Sequence, residues 1–333
     1  MTPYKHHQPV LLRETMEILQ CAPGQRIVDA TVGYGGHGFE ICKRLGDQGV
    51  FIGIDRDEEA VETAWTVLHS FPCRVEILCG NFAHIDELIR SLGIDQVDAI
   101  LYDVGVSSPQ LDQPERGFGF ADGPLDMRMS QSDPQTAADL LATVSAQDLA
   151  RILREYGDEK RSRSIARAVI AARRKEPMTT TRQLRSLVHR CYGGQSHIGG
   201  IDTATRTFMA IRMAINRELE CLETSLNRAW DLLVPGGKLA AITFHSGEHR
   251  VVKSFQRRCL GQCICPPGMP ACGCGARVEG RLLVRGSVTP DSMELSSNPR
   301  SRSSQLRAIR RLFPDEDPAG RASMRNEEER RDE

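Results

Sequence analysis

The chain has 333 residues, 40% of them hydrophobic and 26% charged, and a formal net charge of −1, which is ordinary for a globular protein of one large or two smaller domains. It contains no run of eighteen apolar residues, which excludes a transmembrane helix. The N-terminus resembles neither a secretory signal nor a transit peptide. The eleven cysteines therefore suggest reduced thiols in a cytoplasmic protein rather than a disulfide framework.

The first clear pattern follows a predicted N-terminal helix at 10–20 and consists of a strand, a glycine-rich turn, a helix and a second strand. The first strand begins at Arg26 and leads into the turn at 33–38, which has glycines at its first, third and sixth places. The second strand, at 50–54, ends at Asp55, about 20 residues past the glycines. In this βαβ pattern the glycines allow close approach of a ligand and the acid accepts ribose hydroxyl groups. The sequence therefore predicts a ligand that contains a nucleoside.

A second acid bears on which nucleoside ligand binds. Asp29 lies four residues before Gly33, at the end of the first predicted strand. A carboxylate there would repel the pyrophosphate of NAD, whereas it suits the cationic amino-acid moiety of S-adenosylmethionine. The pattern favours S-adenosylmethionine, with a nicotinamide-dependent oxidoreductase as the alternative.

Strands and helices continue to alternate beyond Asp55 and predict a parallel, doubly wound α/β sheet. Helices are predicted at 57–69 and about 85–92, and strands at 74–78 and 97–102, the latter ending at Asp103.

The alternation breaks after Asp103. Residues 104–136 are rich in Gly, Pro, Asp and Ser but keep Phe, Leu and Met anchors, which indicates an ordered loop that contributes to a site. Residues 137–192 show helical spacing with no strand between. The remaining predicted elements are a long helix from 202 to about 233, a strand at 238–244, a helix at 248–258 and two final strands at 282–288 and 306–312.

Charge is distributed unevenly along the chain. Residues 1–150 contain 10 Lys or Arg and 23 Asp or Glu, a balance of −13, whereas residues 151–190 contain 12 and 4, a balance of +8. An acidic half beside a strongly basic segment indicates a polyanionic partner bound by the basic segment, with solvated helix faces as the structural alternative.

Several segments resemble those of one protein family. They are 7–12 (HQPVLL), 29–38 (DATVGYGGHG), 53–57 (GIDRD), 103–112 (DVGVSSPQLD), 122–129 (DGPLDMRM), 204–208 (ATRTF) and 298–303 (NPRSRS). Together they resemble the RsmH (MraW) family, bacterial methyltransferases that methylate N4 of a cytidine in 16S ribosomal RNA. The resemblance runs from about His7 to Leu312.

The resemblance implies a class I S-adenosylmethionine-dependent methyltransferase, with a Rossmann-like doubly wound sheet and an inserted helical domain. Residues 1–112 and 205–313 are expected to form the methyltransferase domain. Residues 113–204 are expected to form an inserted, mainly helical, basic substrate-recognition domain, and 314–333 a disordered tail. The implied substrate is 16S rRNA at the decoding centre, as naked RNA or in the small subunit, and the protein is expected to be a monomer or a homodimer.

Matching positions imply the cofactor contacts. They are Gly35, Gly36 and His37 on the methionine side, Asp55 at the ribose, Phe82 near the adenine, and Asp103 and Gln110, with Asp29 and Gly33 nearby.

Polar side chains near strand ends are candidates for the chemistry. Asp103 is predicted to accept a hydrogen bond either from the target amine or from the amino group of the cofactor. Ser107 and Ser108 either cap the following turn or touch the target base. His245 follows the fifth predicted strand of the sheet and lies either near the substrate or in a structural hydrogen bond.

Four arginines are candidates for contacts with RNA phosphates: Arg161, Arg163, Arg167 and Arg206. Arg206 and Arg212 are six residues apart on one predicted helix, about 1.7 turns. They do not share a face, so a single phosphate clamp between them is not expected.

Two features depart from or add to the family pattern. The family usually has His-Ser-Leu-Glu-Asp-Arg after the fifth strand, whereas this chain has Gly247 and His249 at the third and fifth places, so no role is assigned to an acid at 249. A cluster of cysteines could supply four thiolates to one zinc, although its C-x-C spacing is tighter than the usual C-x-x-C and free thiols are favoured. The cluster is Cys263, Cys265, Cys272 and Cys274.

A third interpretation is an RNA-binding protein with a vestigial cofactor site. The presence of Asp55, Asp103 and the glycines disfavours it.

Overall fold

The computed structural model describes residues 9–263, 265, 269, 273 and 277–316. The strands are β1 (Arg26–Asp29), β2 (Val50–Asp55), β3 (Arg74–Cys79), β4 (Val97–Asp103), β5 (His197–Ile198), β6 (Ile201–Asp202), β7 (Leu233–Thr243), β8 (Gly280–Leu282) and β9 (Gln305–Arg311). The α-helices are α1 (Leu12–Leu19), α2 (Gly36–Leu45), α3 (Glu58–Leu68), α4 (Ile85–Ser91), α5 (Ser108–Asp112), α6 (Ala137–Thr143), α7 (Ala146–Gly157), α8 (Ser162–Arg173), α9 (Thr181–Cys191), α10 (Thr205–Asn216), α11 (Glu218–Leu232), α12 (Ser246–Cys259) and α13 (Ser292–Ser297). Short 3-10 helices lie at Phe82–His84, Pro114–Arg116 and Pro299–Ser303.

Seven strands form one sheet in the order β3-β2-β1-β4-β7-β9-β8. The first five are parallel, whereas β9 runs antiparallel to both β7 and β8. The chain order reverses direction at β1, which lies between β2 and β4, and ligands of such sheets bind beside the carboxyl ends of the strands at this point. The sheet confirms the predicted Rossmann-like doubly wound α/β fold. It brings Asp29, Asp55 and Asp103 together at the carboxyl ends of its strands, which we call the acidic edge of the sheet.

Buried apolar side chains form three cores. Two of them lie on the sheet, and Trp230 and Phe51 are among their largest members. The third joins the inserted helices and includes Phe208 and Ile211 of α10. Because the packing of the inserted helices continues past residue 204, we propose that the inserted domain extends to about residue 216.

The prediction of one long helix from 202 to about 233 is wrong. The structure has two helices, α10 and α11, separated at Arg217, whose φ of 51° is left-handed. The Asn216 side chain donates to the Met127 carbonyl at 2.8 Å and accepts from the Met129 N–H at 2.9 Å. The break therefore attaches the loop that follows β4 to the end of α10.

The prediction for the last strands is partly wrong. In place of a strand at 282–288 the structure has β8 at Gly280–Leu282, and Val288 forms only an isolated bridge to Leu306. The short hairpin of β5 and β6 was not predicted. The predicted tail falls mainly on 317–333, outside the described residues; of its first residues, Glu316 accepts from Arg310 at 2.6 Å. Within the described part of the chain, no helix has the length and apolar character needed to cross a membrane.

Candidate active site

The glycine turn and the end of β2 are held together through Asp55. Gly33 N–H donates to Asp55 Oδ2 at 2.9 Å, and Asp57 N–H donates to Asp55 Oδ1 at 3.0 Å. Burial raises the pKa of Asp55 to about 6, against the opposing effect of these backbone donors. The carboxylate is thus fixed in direction, and each oxygen keeps further acceptor capacity for hydroxyl groups of a ligand.

The turn continues into α2, which begins at Gly36. Gly35 has a φ of 84°, in the left-handed region that favours glycine. A Cβ on Gly36 would lie 2.6 Å from Cγ of Pro9, so a side chain there would displace the N-terminal segment. The first N–H groups of a helix lack intrahelical partners and attract anions. The start of α2 is therefore suited to a carboxylate such as that of a methionine moiety.

His37 and Asp103 meet at the carboxyl ends of β1 and β4. His37 Nε2 lies 3.1 Å from the Val10 carbonyl, which can only accept, so this nitrogen carries the hydrogen. Burial lowers the pKa of His37 to about 4, and the ring is neutral at physiological pH. His37 Nδ1 is then an acceptor, and it faces Asp103 Oδ2 at 3.7 Å. When Asp103 is ionised, two acceptors face each other, and a donor placed between them would satisfy both.

Further carboxylates surround Asp103. Its Oδ1 is buried and accepts no hydrogen bond from the described residues. Burial raises the pKa of Asp103 well above its usual value, and Asp29, Glu248 and Glu294 add to the effect. Burial also raises the pKa of Asp29, which is 1% exposed, to about 7. This concentration of negative charge with an unsatisfied acceptor suits a cationic ligand that carries N–H donors.

Gln110 is in the site region, but its amide is engaged by the protein. Its Oε1 accepts from Ser107 N–H at 3.0 Å, and its Nε2 donates to Asp57 Oδ2 at 2.6 Å. Arg116, which is 3% exposed, donates to the same Oδ2 at 2.8 Å. Gln110 and Arg116 thus hold Asp57, whose N–H orients Asp55.

Phe82 lies just past the end of β3, whose Cys79 pairs in register with Asp55. Its ring packs edge-on against Tyr102, with 5.9 Å between centroids. Phe82 thus follows the strand that pairs with the end of β2, and its contact with the adenine stays a prediction.

Ser107, after β4, and His245, after β7, make structural hydrogen bonds. Ser107 caps α5, accepting from Gln110 N–H at 3.4 Å, and Ser108 is buried. His245 caps α12, its Nδ1 accepting from Gly247 N–H at 2.9 Å, and its Nε2 lies 3.2 Å from Glu248 Oε1. The structural alternatives that the sequence left open for Ser107 and His245 are therefore present, and a role at the target base stays a prediction.

The candidate RNA-binding arginines lie on the inserted domain. Arg161, Arg163 and Arg167 are exposed and line a surface groove of about 740 Å³ at the start of α8. The guanidinium of Arg161 stacks on Tyr192 at 4.7 Å from the ring centroid. Arg206 is exposed and donates to the Asp158 carbonyl at 3.5 Å.

Arg212 is held apart from this surface. It is paired with Glu218 through two hydrogen bonds of 2.8 Å, and both side chains are largely buried. Arg206 and Arg212 therefore differ in exposure, and the expectation that they form no single phosphate clamp stays a prediction.

Sequence reasoning missed four residues of the site: Asp57, Arg116, Glu294 and Thr31, whose hydroxyl accepts from Asp103 N–H at 2.6 Å. Their roles depend on contacts between segments that are distant in the sequence, and no local sequence pattern predicts such contacts. One signal was overlooked, since His245 followed by Glu248 has the spacing of a capping box.

The cysteine cluster is only partly described. Cys272 and Cys274 lie outside the described residues, whereas Cys263 and Cys265 lie within them. Within the described residues no group of three or more His, Cys, Asp or Glu is arranged to hold a metal ion. The zinc hypothesis therefore stays untested.

Comparisons with known proteins agree on a family. The model of the MraW methylase family matches residues 4–312. The ribosomal RNA small subunit methyltransferase H of Syntrophotalea carbinolica is 47% identical over 307 residues, covering 92% of this chain and 98% of its own. The protein of the same name from Symbiobacterium thermophilum is 44% identical, covering 92% and 97%.

A solved putative rRNA-methylase from Clostridium thermocellum matches 92% of this chain and all of its own at 13% identity and a TM-score of 0.43, a likeness too distant to carry an argument. The family model and the sequence relatives span nearly the whole chain. The chain belongs to the MraW methylase family.

Proposed function

We propose that this protein transfers the methyl group of S-adenosylmethionine to N4 of one cytidine in the decoding centre of 16S rRNA, within the small ribosomal subunit. Family membership makes it a methyltransferase of small-subunit rRNA with S-adenosylmethionine as its methyl donor. The target atom, the target position and the assembled subunit are the proposed part. The nicotinamide-dependent alternative has no support from the family.

The observation that carries the proposal is the unsatisfied carboxylate of Asp103 at the end of β4. Its Oδ1 is buried without a partner among the described residues, and its Oδ2 faces an acceptor nitrogen of His37. A group with N–H donors satisfies both atoms. The cofactor has such a group in its ammonium, and the target cytosine has one in its exocyclic amine.

The residues of the site fit the cofactor. Asp55 would hold the ribose hydroxyls, the first N–H groups of α2 would hold the carboxylate of the methionine moiety, and Asp103 with His37 would hold its ammonium. When bound, the cofactor supplies a methyl group on an electrophilic sulfonium. The chain's own contribution is then to align the acceptor amine and to exclude water, since the amine lone pair is delocalised into the cytosine ring and needs orientation more than activation.

The inserted domain would hold the RNA beside this edge. Asp158 ends α7 and accepts from Ser246 Oγ at 2.7 Å, and Ser246 begins α12 directly after the edge of the sheet. Arg206 contacts the same Asp158. The inserted domain therefore contacts the segment directly after β7, the strand that pairs with β4 and Asp103. An RNA strand held by phosphate contacts on the insertion could present one base to the site.

The test is methyl transfer from tritiated S-adenosylmethionine to naked 16S rRNA and to small subunits from cells that lack this activity. Nucleoside analysis of the subunit product is expected to give N4-methylcytidine, and nuclease protection is expected to locate it in the decoding centre. Asp55→Ala serves as the control with an impaired cofactor site. Methyl on another atom or at another position, or transfer to naked rRNA alone, would refute the corresponding part of the proposal.

A further inference from the structure

The inserted domain contains a short hairpin that takes no part in the three apolar cores described above. β5 and β6 pair antiparallel, with Ile198 opposite Ile201. The two residues between them, Gly199 and Gly200, have φ values of 58° and 78°. Positive φ at both central residues is the geometry of a tight two-residue turn that matches the twist of a hairpin. We call residues 197–202 the tip hairpin.

The end of the tip hairpin is apolar and exposed. Residues directly opposite each other in a hairpin project from the same face, so Ile198 and Ile201 form one small aliphatic surface. Their exposed fractions are 52% and 45%, unusually high for isoleucine. Two large aliphatic side chains kept in water on a tight turn indicate contact with a partner.

The base of the tip hairpin is held firmly. Asp202 is 8% exposed and accepts from Arg185 Nη2 at 2.6 Å, from His189 Nε2 at 2.9 Å and from Ala204 N–H at 2.8 Å. Thr203 N–H donates to the Ser196 carbonyl at 2.9 Å. Charged hydrogen bonds to a buried carboxylate resist rotation of the base. The apolar end is therefore presented by an anchored support.

The surroundings of the tip hairpin are basic. It is preceded by Tyr192, on which Arg161 stacks, and by exposed Arg190. It is followed by Arg206, which contacts Asp158 and through it the edge of the sheet at Ser246. An apolar surface flanked by exposed arginines complements a nucleic acid, in which the phosphates bind cations and the base faces bind apolar groups.

We infer that the tip hairpin is a wedge that packs Ile198 and Ile201 against bases next to the target nucleotide and keeps the target unstacked. The inference rests on the proposed function, because it assigns the RNA of that reaction as the partner. N4 lies on the pairing edge of cytosine, and enzymes that modify such atoms take the base out of its stack. Apolar side chains inserted at a base step compensate for part of the lost stacking.

The test compares an Ile198→Ser/Ile201→Ser variant with Trp65→Ser, which removes an exposed apolar side chain from the acidic helix α3. The substrate is small subunits from cells that lack the activity. At saturating S-adenosylmethionine and subunits, we expect the double serine variant to slow single-turnover methylation about 10-fold to 100-fold. Trp65→Ser and the double leucine variant, Ile198→Leu/Ile201→Leu, should match the unchanged protein. Cofactor affinity and the unfolding midpoint should stay unchanged in all variants.

A second measurement reports unstacking directly. With S-adenosylhomocysteine in place of the donor, the unchanged protein should raise dimethyl sulfate reactivity at bases next to the target, and the double serine variant should not. Methylation and reactivity equal to those of the unchanged protein would overturn the wedge. Loss of a dimer in the double serine variant with full methylation would assign the tip hairpin to a second copy and also overturn it. Absence of methylation by the unchanged protein would instead refute the proposed function.

Discussion

The electrostatics of the site depend on three carboxylates at the ends of three neighbouring strands. Burial raises the pKa of Asp55 to about 6 and that of Asp29 to about 7, and it raises the pKa of Asp103 well above its usual value. These groups do not stabilise the fold by themselves, because burying carboxylates without counter-charges costs free energy. A cationic ligand that binds their charged forms would offset this cost.

The first prediction concerns the dependence of cofactor affinity on pH. Ligand hydroxyls and cations favour the charged carboxylates, so binding should lower their raised pKa values and release protons. S-adenosylmethionine affinity should therefore rise as the pH increases through about 6 and about 7. Calorimetry in buffers of different ionisation enthalpy measures both the affinity and the released protons. Uptake of protons on binding would contradict the prediction.

The second prediction is that Asp55→Ala weakens S-adenosylmethionine binding by roughly tenfold to a hundredfold, the scale of a lost charged hydrogen bond. The variant should also lose the part of the pH dependence centred near 6. Asp98→Ala is the matched control, since Asp98 accepts a backbone N–H from Arg26 at the opposite end of the sheet. If Asp55→Ala and Asp98→Ala weaken S-adenosylmethionine binding equally, the cause is lost stability rather than a lost ribose contact.

The third prediction concerns Asp103, which faces His37 and the start of α2. This position favours the cofactor ammonium over the target amine. Asp103→Asn should mainly weaken S-adenosylmethionine binding, and single-turnover methylation should be largely restored at saturating cofactor. A fall of about 10²–10⁴-fold in that rate with normal affinity would assign Asp103 to the target amine instead. A variant normal in both would remove Asp103 from the site.

At the scale of elements, the loop after β4 links the inserted domain to the cofactor acid. Arg116 donates through Nη1 to Asp57 and through Nη2 to the carbonyls of Arg128 (3.2 Å) and Met129 (2.9 Å). Asp57 in turn donates its N–H to Asp55. One buried guanidinium thus connects the loop beside α10 with the residue predicted to hold the ribose.

The fourth prediction tests this connection with Arg116→Lys. A lysine keeps the charge but cannot reach Asp57 and both carbonyls from one ammonium. The Michaelis constant for S-adenosylmethionine should rise about tenfold, with little change in the turnover number at saturation. Arg128→Lys is the matched control, because Arg128 pairs with Asp126 in the same loop and does not contact Asp57. If both variants raise the Michaelis constant alike, Arg116 acts only through loop stability.

The sequence predicted the elements that local patterns specify. The first βαβ unit, the turn glycines and the acids at strand ends follow from period, glycine placement and strand length. The break at Arg217 was not predictable, because it depends on Asn216 bonding to the loop at Met127 and Met129. Arg116 was missed for the same reason, since its partners lie about sixty residues before it and a dozen after it.

At the scale of the whole molecule, the clustered acidic residues and the exposed arginines lie in different regions. The acids gather at the edge of the sheet, where a cationic ligand fits, and the arginines lie on the inserted helices. Asp158 and Ser246 join the two regions. An RNA whose phosphates bind the insertion would therefore present a base to the acidic edge while its phosphates stay away from the carboxylates.

The fifth prediction concerns the salt dependence of RNA binding. Each phosphate contact adds roughly 0.7–0.9 to the slope of log affinity against log salt, because counterions are released. An Arg161→Gln/Arg163→Gln/Arg167→Gln variant should lower the slope by about two, somewhat less than three full contacts, because Arg161 already stacks on Tyr192 and donates to the Cys191 carbonyl. Filter binding to small subunits across a salt series measures the slope.

The control for the fifth prediction neutralises three exposed cations of the other domain, Lys43, Arg74 and Arg90. Both triple variants remove the same charge from the whole molecule, so a general electrostatic effect would change their slopes equally. A phosphate-binding surface at the start of α8 should change the slope only in the first variant, with cofactor affinity unchanged in both. An unchanged slope in the first variant would place the RNA on another face of the inserted domain, and the tip hairpin variants would then test whether that face adjoins residues 197–202.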